Sequence, residues 1–289
     1  MKLRVATYNI HKGVVRDFLG LRRVSRIHEL RARLHELQAD LVFLQEVQGQ
    51  HEHHAKRFEQ WPIEPQDQFL AKSPSLRHTF ETAYGRNATY LHGHHGNALL
   101  SRFPILGLEN RDVSDHALEK RGILHCQVAI GDRHVHCFVV HFGLLARSRD
   151  RQALVLIDWI ERELPAQAPL IIAGDFNDWR DLLSGRLRER LRVDEVFNAR
   201  PRRRVSERVA HFVRDRLADT GAEVGHPALS GVGRMVRTAR TYPALVPWLR
   251  MDRIYTRGFD VVDARVLRGP RWAQLSDHSP LVSDLILGP

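Results

Sequence analysis

Cysteine is scarce in this sequence, with two residues in 289. Cys126 and Cys137 stand alone, and no cysteine spacing of the metal-binding kind occurs. Long apolar runs are also missing. None approaches the roughly 18 residues that a membrane-crossing helix needs. Met1-Lys2-Leu3-Arg4 leads straight into a strand pattern with no apolar signal region, so a cytoplasmic protein is expected. The 18 histidines lack the i, i+4 pairing of a helical zinc site, even in the groups His51, His53, His54 and His92, His94, His95. They read as solvated or locally hydrogen-bonded. Acidic charge is in deficit: 44 lysines and arginines face 34 aspartates and glutamates, a formal net charge of +10. That balance attracts polyanions such as nucleic acid, anionic lipid headgroups or phosphorylated molecules, without choosing among them.

What is present is the make-up of a soluble globular protein, 43% apolar and 27% charged. The length suits one large α/β domain or two small ones. Residues 3–10 read as a strand. Leu21, Val24, Ile27, Leu30, Leu34 and Leu37 recur at helical spacing, and a second strand at 40–47 completes a β-α-β start. A helix is expected over 49–60, irregular chain over 62–78, and paired strands over 79–84 and 97–102. Residues 112–118 read as an exposed linker. Strands 123–130 and 133–141 flank Gly131-Asp132 as a two-residue hairpin loop, a register that sets Cys126 opposite Cys137. Reduced thiols in a packed sheet are expected there. Helices follow at 149–163 and 180–191. The last third returns to strands at 249–255, 261–267 and from 273 onward.

Several apolar strands end in the same kind of chemistry. Leu170-Ile-Ile-Ala-Gly-Asp-Phe-Asn-Asp178 runs a buried strand into a glycine, then a carboxylate and a carboxamide two residues apart. Asp175 offers a base or metal ligand, and Asn177 a donor that can orient water. Asn9 ends the first strand. Glu46 ends the second, where a charge is costly unless paired or holding a cation, and oxygen ligands fit Mg²⁺. His11 and Lys12 read as surface residues. His141 follows another apolar strand, and Arg121 carries a planar fork suited to phosphoryl oxygens. Asp277 and His278 are adjacent and would point apart in a regular strand. Asp252, within an apolar strand pattern, is the better partner for His278.

Residues 200–236 differ in character. Arg200-Pro-Arg-Arg-Arg204 precedes Val205, Val209, Phe212, Val213 and Leu217 on one helical face. This segment reads as a basic inserted arm, able to meet a polyanion or an anionic membrane surface. Aromatics for base stacking are sparse in it, which counts mildly against a single-strand reader.

In order and spacing, Thr7-Tyr-Asn9, Leu44-Gln-Glu46-Val, Gly96-Asn97-Ala-Leu-Leu-Ser-Arg102, Arg121-Gly, His141-Phe, Gly174-Asp175-Phe-Asn177, Thr241-Tyr-Pro243, Met251-Asp252-Arg-Ile254 and Ser276-Asp277-His278 make a specific set. The chain resembles the endonuclease/exonuclease/phosphatase superfamily with the deoxyribonuclease-I-like fold, especially its bacterial members with Asn-Ile-His-Lys-Gly near the start. The resemblance covers nearly the whole chain except about 200–236. It implies one domain built as an α/β four-layer α/β/β/α sandwich of two mixed sheets, and metal-dependent cleavage of phosphoesters with Mg²⁺ or Mn²⁺. It further implies that Glu46, with Asn9 and Asp277, holds the cation. Asp175 positions or deprotonates the attacking water, and Asn177 holds the phosphate or water. His278, oriented by Asp252, stabilises the transition state. His141 and Arg121 bind phosphate oxygens, with Asn97 and Tyr84 on the substrate side. A nuclease-like activity on nucleic acid is the leading expectation. A phosphodiesterase or phosphatase on phospholipid headgroups, inositol phosphates or other small phosphoesters is the alternative, and a non-catalytic phosphate-binding module is the third. No obligate protein partner is evident.

Overall fold

Strands from opposite ends of the sequence lie side by side in the middle of one sheet. The structure is a computed structural model describing residues 1–16, 22–74, 79–116, 119–198 and 239–288. The basic arm expected at about 200–236 lies outside the described residues. Among the described residues the first six-stranded sheet runs β13 (Phe259–Val266), β14 (Leu281–Leu287), β1 (Lys2–Asn9), β4 (Leu41–His51), β6 (Gly93–Ser101) and β5 (Glu81–Tyr90). The second runs β11 (Asp194–Glu195), β12 (Asp252–Arg257), β10 (Leu170–Asp175), β9 (Arg133–His141), β8 (Gly122–Ile130) and β7 (Ile105–Asp112). A small ribbon of β2 (Val14–Arg16) and β3 (Arg23–Ser25) stands apart. Each large sheet is mixed. β1 pairs in parallel with β4 through the crossover helix α1 (Ile27–Glu36), and β9 with β10 through α4 (Ala146–Glu163).

Three apolar layers hold the sandwich together. Val5, Phe43, Leu99, Val139 and Ile171 fill the space between the sheets. Tyr8, Leu30, Leu34, Leu44 and Phe69 pack the outer face of the first sheet against α1 and α3 (Gln66–Ala71). Phe138, Leu156, Trp159, Ile172 and Leu187 do the same for the second sheet, α4 and α5 (Ser184–Leu191). Neighbouring residues such as Ile171 and Ile172 thus enter different layers, which is why the central strands are apolar runs rather than alternating ones. Cys126 faces Cys137 across the β8–β9 ladder, and both thiols are free and buried. Among the described residues no helix is long and apolar enough to cross a membrane.

Where the elements differ from the sequence pattern, pairing has overridden propensity. The first helix starts at Ile27, because 23–25 pair with 14–16 in the small ribbon. β4 stays extended to His51, opposite Gly93, so α2 keeps only Glu52–Arg57 of the helix expected over 49–60. The histidines at 94 and 95 therefore sit on a strand, with the β5–β6 turn just before it. Residues 62–78, expected to be irregular, contain α3. β7 is an edge strand with little apolar burial, so it leaves no periodic signal. Asp277 and His278 precede β14 in a bend rather than lying within a strand.

Candidate active site

The two sheets bring their strand ends to one edge, and two backbone irregularities aim side chains there. At Glu46 the β4–β6 register shifts between Leu44 and Val47, and Glu46 itself has φ 57°. Such a bulge re-aims one side chain out of the alternating pattern. On β10, Gly174 has φ 152°, and a Cβ there would meet the Val140 carbonyl oxygen at 1.9 Å. Only glycine lets β10 lie this close to β9. The next residue, Asp175, consequently sits opposite His141 on one side and Asp252 on the other.

Asp175 is the hub of this edge. Its Oδ2 accepts from Asn9 Nδ2 at 3.2 Å and lies 3.6 Å from both His278 Nε2 and His141 Nε2. Its Oδ1 accepts the Asn177 backbone N–H at 2.9 Å. Burial raises the Asp175 carboxyl to about 6, with Asp252 pushing the same way and His278 pulling against both. His278 Nδ1 lies 2.8 Å from Asp252 Oδ2. Burial acts to lower the His278 imidazole, but Asp252 and Asp175 outweigh it and raise it to about 10. His278 is thus an imidazolium at neutral pH. His141 is pushed well below the ordinary imidazole value, by burial first and then by Arg121, and stands in the site as a neutral donor or acceptor.

A second group of oxygens adjoins the hub. Asn9 Nδ2 also reaches Glu46 Oε1 at 3.4 Å, and Lys12 Nζ lies 3.3 Å from Glu46 Oε2. Burial acts to raise the Glu46 carboxyl, yet the basic groups around it, Lys12 and His11 among them, outweigh it and hold it well below the usual carboxylate range. Asp277 Oδ1 lies 3.3 Å from His11 Nδ1. Burial opposes its ionisation, but the His11 hydrogen bond and the His278 charge lower its carboxyl. His11 and Lys12, expected on the surface, therefore belong to the site. Left-handed backbone at both residues, φ 45° and 62°, folds them back over it. Ser276, the first residue of the Ser276-Asp277-His278 motif, ties this loop down by donating Oγ to the Asn9 carbonyl at 2.7 Å.

Other residues sit apart from the hub. Arg121 lines an open cleft of about 670 Å³ together with Glu46, Lys12 and His95, and its guanidinium pairs with Glu119 at 2.9 Å and donates to the Phe142 carbonyl. Asn177 donates its side-chain amide to the Phe142 carbonyl at 2.8 Å, so this donor steadies the loop that holds Asp175. Asn97 is fully enclosed between the sheets, donating to the carbonyls of Gly122 and Val139 at 2.9 and 3.2 Å. It pins one sheet to the other and does not line the cleft. Tyr84 packs against the apolar layer under the first sheet's helices, and its hydroxyl pairs with His94 Nδ1 at 2.9 Å. Strand alternation turns it to the outer face, away from the inter-sheet side that Asn97 occupies. The substrate-side placements expected for Asn97 and Tyr84 are corrected accordingly.

Two donor sets come into question for a cation. Asp175, Asp252 and His278 present three ligand atoms within 4.8 Å of one another. Asp252 beside His278 Nδ1 favours the charged ring, so a metal in this set would have to displace that proton. Glu46 and Asp277 offer two carboxylates held low in the carboxylate range, hard oxygens of the kind Mg²⁺ and Mn²⁺ take, while Asn9 turns its Nδ2 toward Glu46 and accepts the His11 N–H on its Oδ1.

Known proteins share this architecture. A sequence profile of the endonuclease/exonuclease/phosphatase family matches residues 6–278. The chain is 38% identical over 286 residues to the uncharacterized protein YbhP of Escherichia coli (strain K12), covering 98% of this chain and 96% of that one. Among solved structures it is similar to the endonuclease/exonuclease/phosphatase from Bacteroides vulgatus, with 17% identity, 99% of each chain covered and a TM-score of 0.66. It is also similar to D. rerio TDP2 complexed with single strand DNA product, with 17% identity, 99% of each chain covered and a TM-score of 0.58. This chain belongs to the endonuclease/exonuclease/phosphatase family.

Proposed function

We propose that the protein hydrolyses phosphodiester bonds by in-line attack of water, with Mg²⁺ or Mn²⁺ held by Glu46, Asp277 and Asn9. The observation that carries this reading is the buried Asp175–His278–Asp252 array standing beside the ionised Glu46. Phosphoryl transfer asks a protein for charge neutralisation and positioning more than for covalent chemistry. Asp175, with its carboxyl near 6, is ionised at neutral pH and basic enough to orient and deprotonate water. His278 carries a standing positive charge toward the developing charge on the phosphoryl oxygens, and Asp252 fixes its ring and its proton. Neutral His141 donates to a non-bridging oxygen, and Arg121 meets phosphate in the open cleft. Asn177 holds Asp175 in place. A bound cation supplies neutralisation of the phosphate and leaving-group oxygens.

The substrate is a phosphoester. Nucleic acid is supported by the net charge of +10 and by the DNA product bound to the related TDP2. A lipid-borne phosphodiester is the second reading, favoured by the exposed apolar residues Leu245 and Trp248 next to the site. The test is a Mg²⁺/Mn²⁺ hydrolysis screen over DNA, RNA, phospholipids, inositol phosphates and a chromogenic phosphodiester, with wild type and Asp175→Asn side by side. Metal-dependent turnover that falls at least ~10²-fold in the variant is expected. Undiminished turnover in Asp175→Asn refutes the mechanism, and absence of turnover on every substrate favours a phosphate-binding module.

A further inference from the structure

Three loops meet at the edge of the second sheet that carries the candidate site. The first leaves β9 after His141, the second leaves β10 after Asp175, and the third enters β12 before Asp252. The ladder places those three strand ends side by side. The third loop also touches the site directly, since the Tyr242 ring lies 5.0 Å from the His278 ring. Each loop exposes large apolar side chains. Leu144 and Leu145 on the first are 66% and 59% exposed, and Trp179 and Leu182 on the second 46% and 62%. On the third, Leu245, Val246 and Trp248 are 82%, 68% and 62% exposed. These seven are half of the fourteen large apolar residues exposed among the described residues. Scattered apolar residues on a surface need no explanation, but a set carried on three loops that leave neighbouring strand ends marks a contact surface.

Basic side chains stand among them. Lys120, Arg147 and Arg180 are exposed, and none forms an ion pair among the described residues. The Arg180 guanidinium lies over the Trp179 ring, 4.5 Å from its centroid. Aliphatic side chains and tryptophans set among lysine and arginine are the composition that enters the headgroup region of an anionic bilayer. Base stacking is a poorer match, because leucine and valine offer no π-face.

We propose that these three loops dock the protein on the surface of an anionic phospholipid bilayer, with the candidate active site facing the headgroups. Leu245, Val246 and Trp248 enter the interface, while Lys120, Arg147 and Arg180 meet the lipid phosphates. Docking does not depend on turnover, so Asp175→Asn binds membrane as wild type does, and failure of the hydrolytic reading leaves this inference standing.

The experiment is co-sedimentation with vesicles of phosphatidylcholine, with and without phosphatidylglycerol. It compares wild type, the triple variant Leu245→Ser/Val246→Ser/Trp248→Ser, and a second variant in another loop, Trp179→Ser/Leu182→Ser. All substituted side chains are exposed, and circular dichroism checks the fold. Wild type should bind the vesicles containing phosphatidylglycerol, and each variant should lose at least ~10-fold in partitioning. Metal-dependent turnover of a soluble chromogenic phosphodiester should stay unchanged where it is present. Absence of wild-type binding, or binding that survives in both variants, overturns the proposal. So does a single-stranded oligonucleotide whose binding, in place of vesicle binding, needs the same side chains.

Discussion

Replacing Asp252 by asparagine removes one charge from a fully enclosed pair and leaves its shape in place. Asp252 Oδ2 is 2.8 Å from His278 Nδ1, and Asp252 is 0% exposed. Burial lowers the His278 imidazole while Asp252 leads the forces that raise it to about 10. The asparagine oxygen can still accept from Nδ1, so the ring should keep its orientation. Without the charge, burial competes only with Asp175 and the more distant Asp277, and the imidazole should titrate near neutrality. A fall of about three pK units corresponds to about 4 kcal/mol. At pH 8 the wild-type ring stays charged, whereas roughly one variant molecule in ten carries the proton. With weakened charge stabilisation of the transition state added, kcat/KM at pH 8 should fall about 10²-fold, and much less at pH 6. The assay is a pH profile of kcat/KM on a chromogenic phosphodiester, paired with imidazole NMR of His278. Wild type should hold its activity toward pH 10, and the alkaline limb of Asp252→Asn should move to about 7. An unmoved limb, or a His278 resonance titrating as in wild type, refutes the reasoning.

Two other outcomes bear on the fold beneath the site. Gly174→Ala should destabilise by about 3 kcal/mol or more, because the new Cβ meets the Val140 carbonyl of the neighbouring strand, and urea unfolding reads the change. A midpoint within error of wild type would show that β9 and β10 can separate cheaply. Acid should weaken the protein before carboxylates other than Asp175 are protonated. His54, His95 and His125 are each pushed down to about 4, by burial first. The unfolded chain takes up protons near pH 6.5 that the fold refuses until about 4, so stability is full above 6.5 and declines below it. After allowance for their partial exposure each costs roughly 1 kcal/mol at pH 5, partly offset by the raised Asp175 and His278 groups, so the melting temperature should drop by only a few degrees between pH 7.5 and 5. A flat melting curve across that range would count against the buried neutral imidazoles.

The sequence made some of these residues legible and hid others for a physical reason. Glu46, Asp175 and Asp252 stand out because a carboxylate on an apolar strand is expensive and calls for a partner. The Asp252–His278 contact is as expected, although Asp277 and His278 lie in a bend, so the strand alternation used to separate them does not apply there. Lys12 and His11 were read as surface residues because nothing periodic announces left-handed backbone, which is what folds them over Glu46 and Asp277. Asn97 and Tyr84 were misplaced because the face a strand residue occupies depends on register, and one step moves a side chain from inter-sheet core to outer layer. β7 escaped because an edge strand with little burial has no apolar alternation to show. The layered architecture was readable because the buried strands and the crossovers of α1 and α4 impose strong patterns.

The pairing of β1 with β14 has a consequence for how the protein comes into being. The Ser276 hydroxyl reaches the Asn9 carbonyl across 267 residues of sequence, and Lys2 lies opposite Ile286 in the ladder. Asn9 and the pair Asp277 and His278 are far apart in the order of synthesis, yet they meet at one sheet edge. The first sheet cannot close around its own middle until β14 has been made, and contacts of such long range form slowly. A nascent or prematurely terminated chain therefore carries Glu46 and Asp175 without the imidazolium and carboxylate that complete their surroundings. On this topology the candidate site is assembled only once β1 and β14 have paired.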